Sequence, residues 1–368
     1  MPQSLSDIYA GKHVFLTGHT GFKGCWLSLW LRELGAKVTG YALAPDTNPA
    51  FFDAARIAGG MSHIVGNVNV PNSLSEAMQN AQPDMVIHMA AQALVQPSYI
   101  DPLDTYMTNV MGTVHLLEAV RACASVRTCL VVTSDKCYEN REWPYGYRET
   151  DAMGGYDPYS SSKGCAELVT QSWLRSFFHP DEYGKSHRVA LASARAGNVI
   201  GGGDWAEARI VPDIVRAISK DQPVVLRNPS AVRPWQHVLE PLSGYLHLTA
   251  KLYTDGAHHS GGWNFGPNDT TMIPVEELVQ MVIATWGQGS YEIQSDGHAH
   301  EANLLKLDIS KSNALLGWHP ALTAKVAIED TVNWYKTYYG GCTGDDLENF
   351  SLDQIRAYAR RMPYAQYA

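Results

Sequence analysis

Short apolar runs alternate along the chain with longer segments in which apolar residues return every three or four positions. The short runs predict strands buried on both faces of a sheet, and the longer segments predict amphipathic helices. Strands are predicted at residues 13–17, 37–43, 63–65, 85–92, 130–132 and 188–194. This order of elements predicts an α/β fold: a Rossmann-type, doubly wound parallel sheet with a smaller, interleaved C-terminal α/β region.

The composition changes after Arg195, where Gly, Trp and Pro become more frequent. We therefore expect residues 1–195 to form a Rossmann-type domain and residues 196–368 to form mainly a substrate domain. Two later segments, near 236–264 and 304–310, are expected to return to the first domain.

The first strand leads into a glycine-spaced turn, which a helix follows. Gly18, Gly21 and Gly24 let the backbone approach a pyrophosphate, which the helix N-terminus binds through its N–H groups and dipole. A plain tight turn is the alternative, and it is the weaker one because strand, turn and helix occur together. We expect His19 to touch the cofactor, and an outward-facing imidazole is the alternative. The candidate cofactor residues of this turn are Gly18, His19, Gly21, Phe22, Lys23 and Gly24.

The end of the second strand carries Tyr41, Ala42 and Leu43, where an NAD site usually has an acidic residue for the adenosine ribose. The nearest carboxylate is that of Asp46, so the sequence leaves the ribose contact in doubt. Because no arginine or lysine stands at this strand end either, we expect NAD and not NADP.

Further candidate cofactor residues lie beyond the first two strands. Asn67 is placed either to meet the adenine edge or to cap its own turn, and both roles stay open. The small residues Ala90 and Ala91 would let a flat ring lie close. Asn109 interrupts an apolar helical stripe, and such an amide is more often satisfied within the core than catalytic. The full set is Asn67, Val68, Ala90, Ala91, Gln92 and Asn109.

A helix is predicted to begin at Pro158, with Asp157 as its N-cap. Tyr159 and Lys163 are four residues apart on this helix, so they project from one face. A lysine ammonium beside a phenol favours the phenolate, which would turn tyrosine into a base near neutral pH. Any helix can carry this spacing by chance, so a catalytic interpretation depends on which neighbouring residues accompany Tyr159 and Lys163.

Those neighbours are the polar residues Ser134, Asp135 and Lys136, which end the apolar run at 130–132. A hydroxyl and a carboxylate at a buried strand end, together with a nucleotide-type loop, favour a catalytic interpretation. The candidate catalytic residues are Ser134, Asp135, Lys136, Tyr159 and Lys163.

Four arginines lie within a short span of the predicted substrate region, at positions 209, 216, 227 and 233. Arg233 stands two residues before Trp235, and an arginine can bind a phosphate while an indole provides a packing wall. A solvated basic surface is the alternative.

The net charge of −9 argues against nucleic acid or an anionic membrane as the main partner. The six cysteines show no C-x-x-C pair and no zinc spacing, so we expect reduced thiols and no metal. The first residues have neither a basic nor an apolar signal segment, and no apolar run is long enough to span a bilayer. We therefore expect a cytoplasmic protein.

The chain resembles the extended short-chain dehydrogenase/reductases that act on nucleotide-linked sugars. The motifs Gly18-x-x-Gly21-x-x-Gly24 and Tyr159-x-x-x-Lys163 match that superfamily. Within it, the chain resembles the CDP-glucose 4,6-dehydratase family at residues 17–24, 88–92, 134–138, 154–159, 195–205 and 233–237. The resemblance covers most of the chain and fades in the C-terminal tail.

The resemblance implies that Tyr159 deprotonates the sugar 4-hydroxyl and that Lys163 holds the phenolate and the nicotinamide ribose. Ser134 would share the hydrogen bond to O4, and Asp135 would act as an acid on the 6-hydroxyl. Dehydratases that act on dTDP-glucose carry a glutamate as the base at C5, where this chain has Lys136. The identity of the C5 base therefore stays open.

The resemblance further implies CDP-glucose as substrate and NAD as a recycled cofactor. The implied reaction oxidises C4, eliminates water across C5 and C6, and reduces C6 to give CDP-4-keto-6-deoxyglucose, a precursor of dideoxy sugars in bacterial surface polysaccharides. A homo-oligomer, either dimer or tetramer, is also expected. The candidate substrate residues are Asn198, Arg209, Arg233 and His237.

Two rival functions share this fold. A nucleotide-sugar 4-epimerase would use Tyr159 and Lys163 but would need no acid near C6, so Asp135 separates it from a dehydratase. A non-catalytic NAD-binding protein would have no reason to keep Ser134, Tyr159 and Lys163 together.

Overall fold

The computed structural model describes residues 4–268, 272–294 and 305–362. Its strands are β1 His13–Thr17, β2 Lys37–Ala42, β3 Ser62–Val65, β4 Met85–His88, β5 Thr128–Val132, β6 Ala190–Ala196, β7 Val199–Ile200, β8 Val224–Leu226, β9 Val232–Pro234, β10 Gln236–His237, β11 Gly261–Phe265, β12 Met272–Pro274 and β13 Tyr291–Ile293.

The helices surround and connect these strands. They are α1 Leu5–Tyr9, α2 Phe22–Glu33, α3 Phe51–Ala54, α4 Pro71–Ala81, α5 Val95–Ile100, α6 Pro102–Tyr106, α7 Gly112–Ala122, α8 Pro158–Ser176, α9 Ile210–Ile218, α10 Leu239–Asp255, α11 Val275–Trp286, α12 Ala324–Tyr339 and α13 Asp345–Arg361.

Seven parallel strands form the central sheet in the order β11-β6-β5-β4-β1-β2-β3. This arrangement confirms the predicted Rossmann-type fold. From β1, the chain first adds strands on one side of the sheet (β2 and β3) and then on the other side (β4, β5, β6 and β11). In such folds, ligands bind at the carboxyl ends of the strands where the order changes sides, here between β1 and β4. The loops after β1, β4 and β5 are therefore the ones that can build a site.

Both faces of the sheet are buried, because successive strand residues point to opposite sides and each side meets helices. Leu16 and Ile87 belong to one apolar cluster, and their neighbours Phe15 and Val86 belong to the other. This explains why the strands show continuous apolar runs in the sequence and no alternation.

The fourth strand is shorter than predicted. It ends at His88, because the N–H groups of Met89 and Ala90 turn to the hydroxyl of Thr17, each at 3.1 Å. The helix expected after Asp101 is also interrupted. Its α-helical hydrogen bonding gives way to a π-helical turn at Met107–Met111, a feature that often marks functional sites.

The chain beyond residue 195 contributes to the large sheet and also forms smaller pairs. Strand β11 pairs with β6 at one edge of the large sheet. Strands β7 and β10, β8 and β13, and β9 and β12 form three separate two-stranded sheets. The division near residue 195 stays a prediction, and residue 304 of the expected return at 304–310 lies outside the described residues. In the three described ranges, no helix combines the length and the apolar character needed to cross a membrane.

Candidate active site

The glycine turn after β1 provides close backbone packing. Gly18 has a φ of +75°, and a Cβ atom there would lie 2.7 Å from the amide nitrogen of Ala90. A side chain at Gly24 would collide with the carbonyl of Gly18. Helix α2 begins at Phe22 with Gly21 as N-cap, and no described side chain caps its first N–H groups. These residues fit a dinucleotide, because the backbone is open to a pyrophosphate at a helix N-terminus.

Lys23 in this turn faces the interior of the site. Burial and the charge of Arg209 lower its pKa to about 8, while Asp135 opposes that change. A lysine of the cofactor turn thus lies within electrostatic reach of a candidate catalytic residue and a candidate substrate residue.

The imidazole of His19 is fully buried, so the outward-facing alternative is wrong. Its Nε2 lies 2.6 Å from Nδ1 of His63, and its ring contacts Phe52 edge-on at a centroid distance of 5.4 Å. The ring also packs on Gly40 in β2, where no side chain would fit beside it. His19 therefore fills space next to the strand end that lacks an acidic residue, and its contact with a cofactor stays a prediction.

Asn67 caps its own turn. Its Oδ1 accepts a hydrogen bond from the N–H of Asn69 at 2.9 Å. Val68 is buried in the apolar cluster beside α7, and its carbonyl lies 2.9 Å from Nδ1 of His115. Contact of Asn67 or Val68 with adenine stays a prediction.

Residues 89–92 form a turn after β4 that hydrogen bonds hold on both sides. Gln92 exchanges two backbone hydrogen bonds with the amide of Asn109, at 2.9 and 3.0 Å. The same amide donates to Ser162 at 2.8 Å. Asn109 is thus satisfied by the protein, as the sequence favoured, and it shapes the turn that contains Ala90 and Ala91.

The end of β5 brings the predicted hydroxyl and carboxylate together. Ser134 Oγ donates to Asp135 Oδ1 at 3.0 Å and accepts from the backbone N–H of Lys136 at 3.2 Å. Burial raises the pKa of Asp135, while the charge of Lys136 and the bond from Ser134 oppose that change. A buried carboxyl that keeps its proton more readily than usual is suited to donate one.

Tyr159 lies beside this pair at the start of α8, where Asp157 caps the helix by accepting from Ser160 N at 2.9 Å. Burial raises the pKa of Tyr159 to about 12, and a hydrogen bond with Ser134 opposes that change. The pKa of Tyr159 does not fall as expected, because burial outweighs the hydrogen bond with Ser134 and the charge of Arg209. Burial lowers the pKa of Lys163 itself to about 8.

Arg209 joins the site from the loop before α9. Its Nη1 donates to the buried carboxylate of Asp204 at 2.8 Å, and about a third of its side chain (34%) remains exposed. Its positive charge lowers the pKa of Tyr159 against the effect of burial. The structure therefore places Arg209 close to the phenol and to Lys23.

The remaining substrate candidates lie on the small strand pairs. Arg233 is half-buried in β9, and its Nη1 donates to the carbonyl of Val232 at 3.0 Å. Asn198 is half-buried between β6 and β7, and its carbonyl accepts from Gln236 N at 3.3 Å. Their contacts with a substrate stay predictions.

His237 lies in β10, inside the protein. The residue is fully buried, its ring lies edge-on to Trp26, and its Nδ1 accepts from the N–H of Leu239 at 3.3 Å. Burial lowers its pKa to about 3. Its contact with a substrate stays a prediction, because the candidate catalytic residues Tyr159 and Lys163 are buried as well.

Two residues outside the predicted site support its neighbours through hydrogen bonds. Thr17 holds the turn after β4, and Asp204 holds Arg209. Thr17 is a polar residue at the end of an apolar strand, and Asp204 follows three glycines, so each had a local signal. Within the described residues, no group of three or more His, Cys, Asp or Glu side chains is placed to hold a metal.

Residues 15–331 match the model of the family described as GDP-mannose 4,6 dehydratase. The chain belongs to this family. The chain is also 52% identical to the CDP-glucose 4,6-dehydratase of Salmonella typhimurium over 353 residues, which cover 96% of this chain and 97% of that protein. This similarity confirms the family that the motifs indicated.

Solved structures show the fold but do not separate the rival activities. The dTDP-glucose 4,6-dehydratase from Bacillus anthracis, solved with NAD, is similar with a TM-score of 0.73 and 19% identity. The match covers 90% of the present chain and 98% of the Bacillus anthracis chain. The UDP-glucose 4-epimerase from Thermotoga maritima gives the same TM-score, 0.73, with 19% identity. The match covers 89% of the present chain and 99% of the epimerase chain. Dehydratases and epimerases thus share this architecture.

Proposed function

We propose that the protein is an NAD-dependent lyase that converts CDP-glucose to CDP-4-keto-6-deoxyglucose. The observation that carries this proposal is the meeting of a buried carboxyl, Asp135, and a buried phenol, Tyr159, at the hydroxyl of Ser134. The named activity of the relative that is 52% identical supports the same reaction and the same nucleotide.

NAD, when bound, accepts a hydride from C4 of the sugar and returns it to C6. We propose that Gly18 and the N-terminus of α2 hold its pyrophosphate, and that the turn at residues 89–92 lies against the nicotinamide half. Lys163 is buried one helical turn after Tyr159, where an ammonium can bind a ribose hydroxyl. The absence of an acidic residue after β2 remains a departure from the usual ribose site.

Tyr159 takes the proton of the 4-hydroxyl in this proposal, and Ser134 shares the hydrogen bond to O4. Because burial raises the pKa of the phenol to about 12, the site must stabilise the phenolate while the reaction proceeds. The hydrogen bond with Ser134 and the charge of Arg209 already act in that direction.

Asp135 protonates the departing 6-hydroxyl while a base, for which Lys136 is the candidate, removes the C5 proton, so that water leaves across C5 and C6. Its raised pKa supports this role, because a carboxyl must carry a proton in order to donate one. An epimerase expels no group from C6 and therefore has no use for this acid. We therefore favour the dehydratase.

The substrate pyrophosphate is proposed to bind Arg209, Arg233 and Asn198. Guanidinium groups suit phosphates because they donate two parallel hydrogen bonds. The three residues come from the region after β6, which is also where we propose that the substrate domain begins.

A panel of nucleotide sugars tests the proposal. The purified protein with NAD would be offered CDP-glucose, dTDP-glucose, UDP-glucose and GDP-mannose, and the products would be identified by NMR. We expect a 4-keto-6-deoxy product from CDP-glucose. A C4 epimer, or turnover of another nucleotide in preference to CDP-glucose, would contradict the proposal.

We also propose that the protein works in the cytoplasm as a homo-oligomer, in the synthesis of dideoxy sugars for surface polysaccharides. All six cysteines are free thiols, which suits a reducing compartment. Exposed apolar side chains four residues apart support self-association, which measurement of the solution mass would test. They are Tyr99, Leu103, Met107 and Met111.

A further inference from the structure

A chain of buried polar groups runs from the end of β1 to the start of α8. Each side chain from Thr17 to Ser162 is at most 2% exposed. The cofactor turn lies at one end of the chain, and the proposed base lies at the other. In order, the members are Thr17, His88, Thr113, Asn109, Ser162 and Tyr159.

The direction of the hydrogen bonds can be derived from Thr17. Its hydroxyl oxygen accepts two backbone hydrogen bonds, from Met89 and Ala90, each at 3.1 Å. A hydroxyl has two acceptor positions and one hydrogen. The N–H of Met89 is shared with the carbonyl of Thr17 at 3.2 Å, whereas the N–H of Ala90 has the hydroxyl as its acceptor. Because both N–H groups point at the hydroxyl oxygen, we assign its hydrogen to the remaining neighbour, Nδ1 of His88, at 2.7 Å.

This assignment decides the tautomer of His88. An Nδ1 atom that accepts carries no proton, so the neutral ring carries its hydrogen on Nε2. That N–H points to the hydroxyl oxygen of Thr113 at 3.4 Å, a long hydrogen bond. Thr113 in turn donates to the carbonyl of Asn109 at 2.7 Å, inside the π-helical turn.

The series of hydrogen bonds continues to Tyr159, the proposed base. The amide of Asn109 holds Gln92 and donates to Ser162 Oγ at 2.8 Å. Ser162 donates to the carbonyl of Tyr159 at 2.7 Å, within the first turn of α8. Each donated hydrogen in this series of hydrogen bonds has one acceptor. The direction of donation therefore cannot reverse at one residue without leaving a buried polar group unpaired.

We propose that His88, as the Nε2–H tautomer, is a positioning residue that links the cofactor turn to the helix of Tyr159. Its Nδ1 side keeps Thr17 oriented towards the turn at residues 89–92. Its Nε2 side supports the π-helical turn from which Asn109 holds α8. The inference rests on the proposed function, because that turn is assigned to NAD.

The surroundings of His88 keep the ring neutral. Burial lowers its pKa to about 3, and the positive charge of Lys163 acts in the same direction. A protonated ring would direct a second N–H at the oxygen of Thr17, which already accepts two hydrogen bonds.

The first experiment measures the tautomer without any cofactor. Proton–nitrogen NMR of protein labelled at histidine should show a proton on Nε2 of one buried ring and none on its Nδ1. Loss of that signal in His88→Asn assigns it. A proton on Nδ1 of His88 would overturn the inference.

The second experiment uses two substitutions that each preserve one half of the ring's hydrogen bonding. In His88→Asn, the amide oxygen can replace Nδ1 and keep the bond from Thr17. In His88→Gln, the amide nitrogen can replace Nε2 and keep the bond to Thr113. The NAD dissociation constant and the turnover rate at saturating NAD would be measured for both variants.

The two variants should fail in different ways. His88→Gln should bind NAD about fivefold to tenfold more weakly, with its rate at saturating NAD largely kept, because one buried hydrogen bond is lost on the cofactor side. His88→Asn should keep its NAD affinity and lose rate by a similar factor. Equal losses of both quantities in both variants would overturn the inference.

Thr113→Val provides a second variant should a change at His88 prevent folding. It removes the acceptor for Nε2 with nearly the same shape, and it should resemble His88→Asn in losing rate but not NAD affinity. Unchanged rate in this variant would overturn the link to α8. If the wild-type protein binds no NAD, the proposed function itself is wrong, whereas the NMR result still decides the tautomer.

Discussion

The two halves of the candidate site are built differently. On the cofactor side, the turn at residues 89–92 is fixed by hydrogen bonds to Thr17 and Asn109, all of them inside the protein. On the proposed substrate side, Arg209 and Arg233 are partly exposed and come from a loop and a two-stranded sheet. A cofactor that is regenerated in every turnover can occupy a preformed site, whereas a substrate must enter and leave.

This difference has an energetic consequence. Rigid, hydrogen-bonded walls reduce the ordering cost of binding, and a change to such walls should reduce affinity through altered geometry. Exposed arginines contribute mainly charge-assisted hydrogen bonds, and a change there should remove only those bonds. Substitutions on the two sides of the site separate these two effects.

Tyr159→Phe should have the largest effect, because it removes the only group proposed to take the O4 proton. General base catalysis contributes on the order of 10²–10⁴ in rate. The variant should bind both ligands and form no enzyme-bound NADH with CDP-glucose, as followed by absorbance. Normal NADH formation would remove Tyr159 from its role.

Lys136→Met tests the loop after β5. The backbone N–H of Lys136 donates to Ser134, and the Lys136 side chain is half-buried. We expect bound NADH to form but product release to fall about a hundredfold, because loss of the C5 proton is blocked. Exchange of the C5 hydrogen with deuterated solvent should also stop. Exchange at the wild-type rate would show that Lys136 is not the C5 base.

Gly18→Ala should weaken NAD binding by more than about tenfold, with little effect on CDP-glucose, because the new Cβ would lie 2.7 Å from Ala90 N. Calorimetric titration of each ligand measures this. Gly184→Ala is the matched control: Gly184 has a similar φ of +80° but nothing within 4 Å of its Cβ position. Equal effects of the two changes would show that backbone strain, and not the close approach, is responsible.

Arg233→Ala should have the smallest effect and the opposite selectivity. A hydrogen bond to a charged group contributes about 1.5–3 kcal/mol, so CDP-glucose binding should weaken about tenfold or more while NAD binding stays unchanged. The exposed Arg227, changed to alanine, serves as control. Equal losses for both ligands would indicate a folding defect and would remove Arg233 from the substrate site.

The sequence predicted the features that depend on local pattern. The apolar runs located six strands of the sheet, and the spacing of Tyr159 and Lys163 placed both on α8. These succeeded because strand burial and helix periodicity are set by neighbouring residues. The edge strand β11 was less visible, since its short segment pairs with β6 from a distant part of the chain.

Features that depend on distant contacts were predicted poorly. The packing of the His237 ring on Trp26, more than two hundred residues earlier, had no local signal in the sequence. The pKa of Tyr159 was expected to fall because of one lysine, whereas the whole surrounding core raises it. Burial is a property of the assembled fold, and the spacing of residues in the sequence does not predict how much it shifts a pKa.

The central claim is that the two halves together move a hydride within one sugar, from C4 to C6. The direct measurement uses CDP-glucose that carries deuterium at C4, with the product examined by NMR. We predict that the deuterium appears at C6 of a 4-keto-6-deoxy sugar. Deuterium retained at C4 of an epimerised sugar, or absent from C6 of the product, would contradict the account.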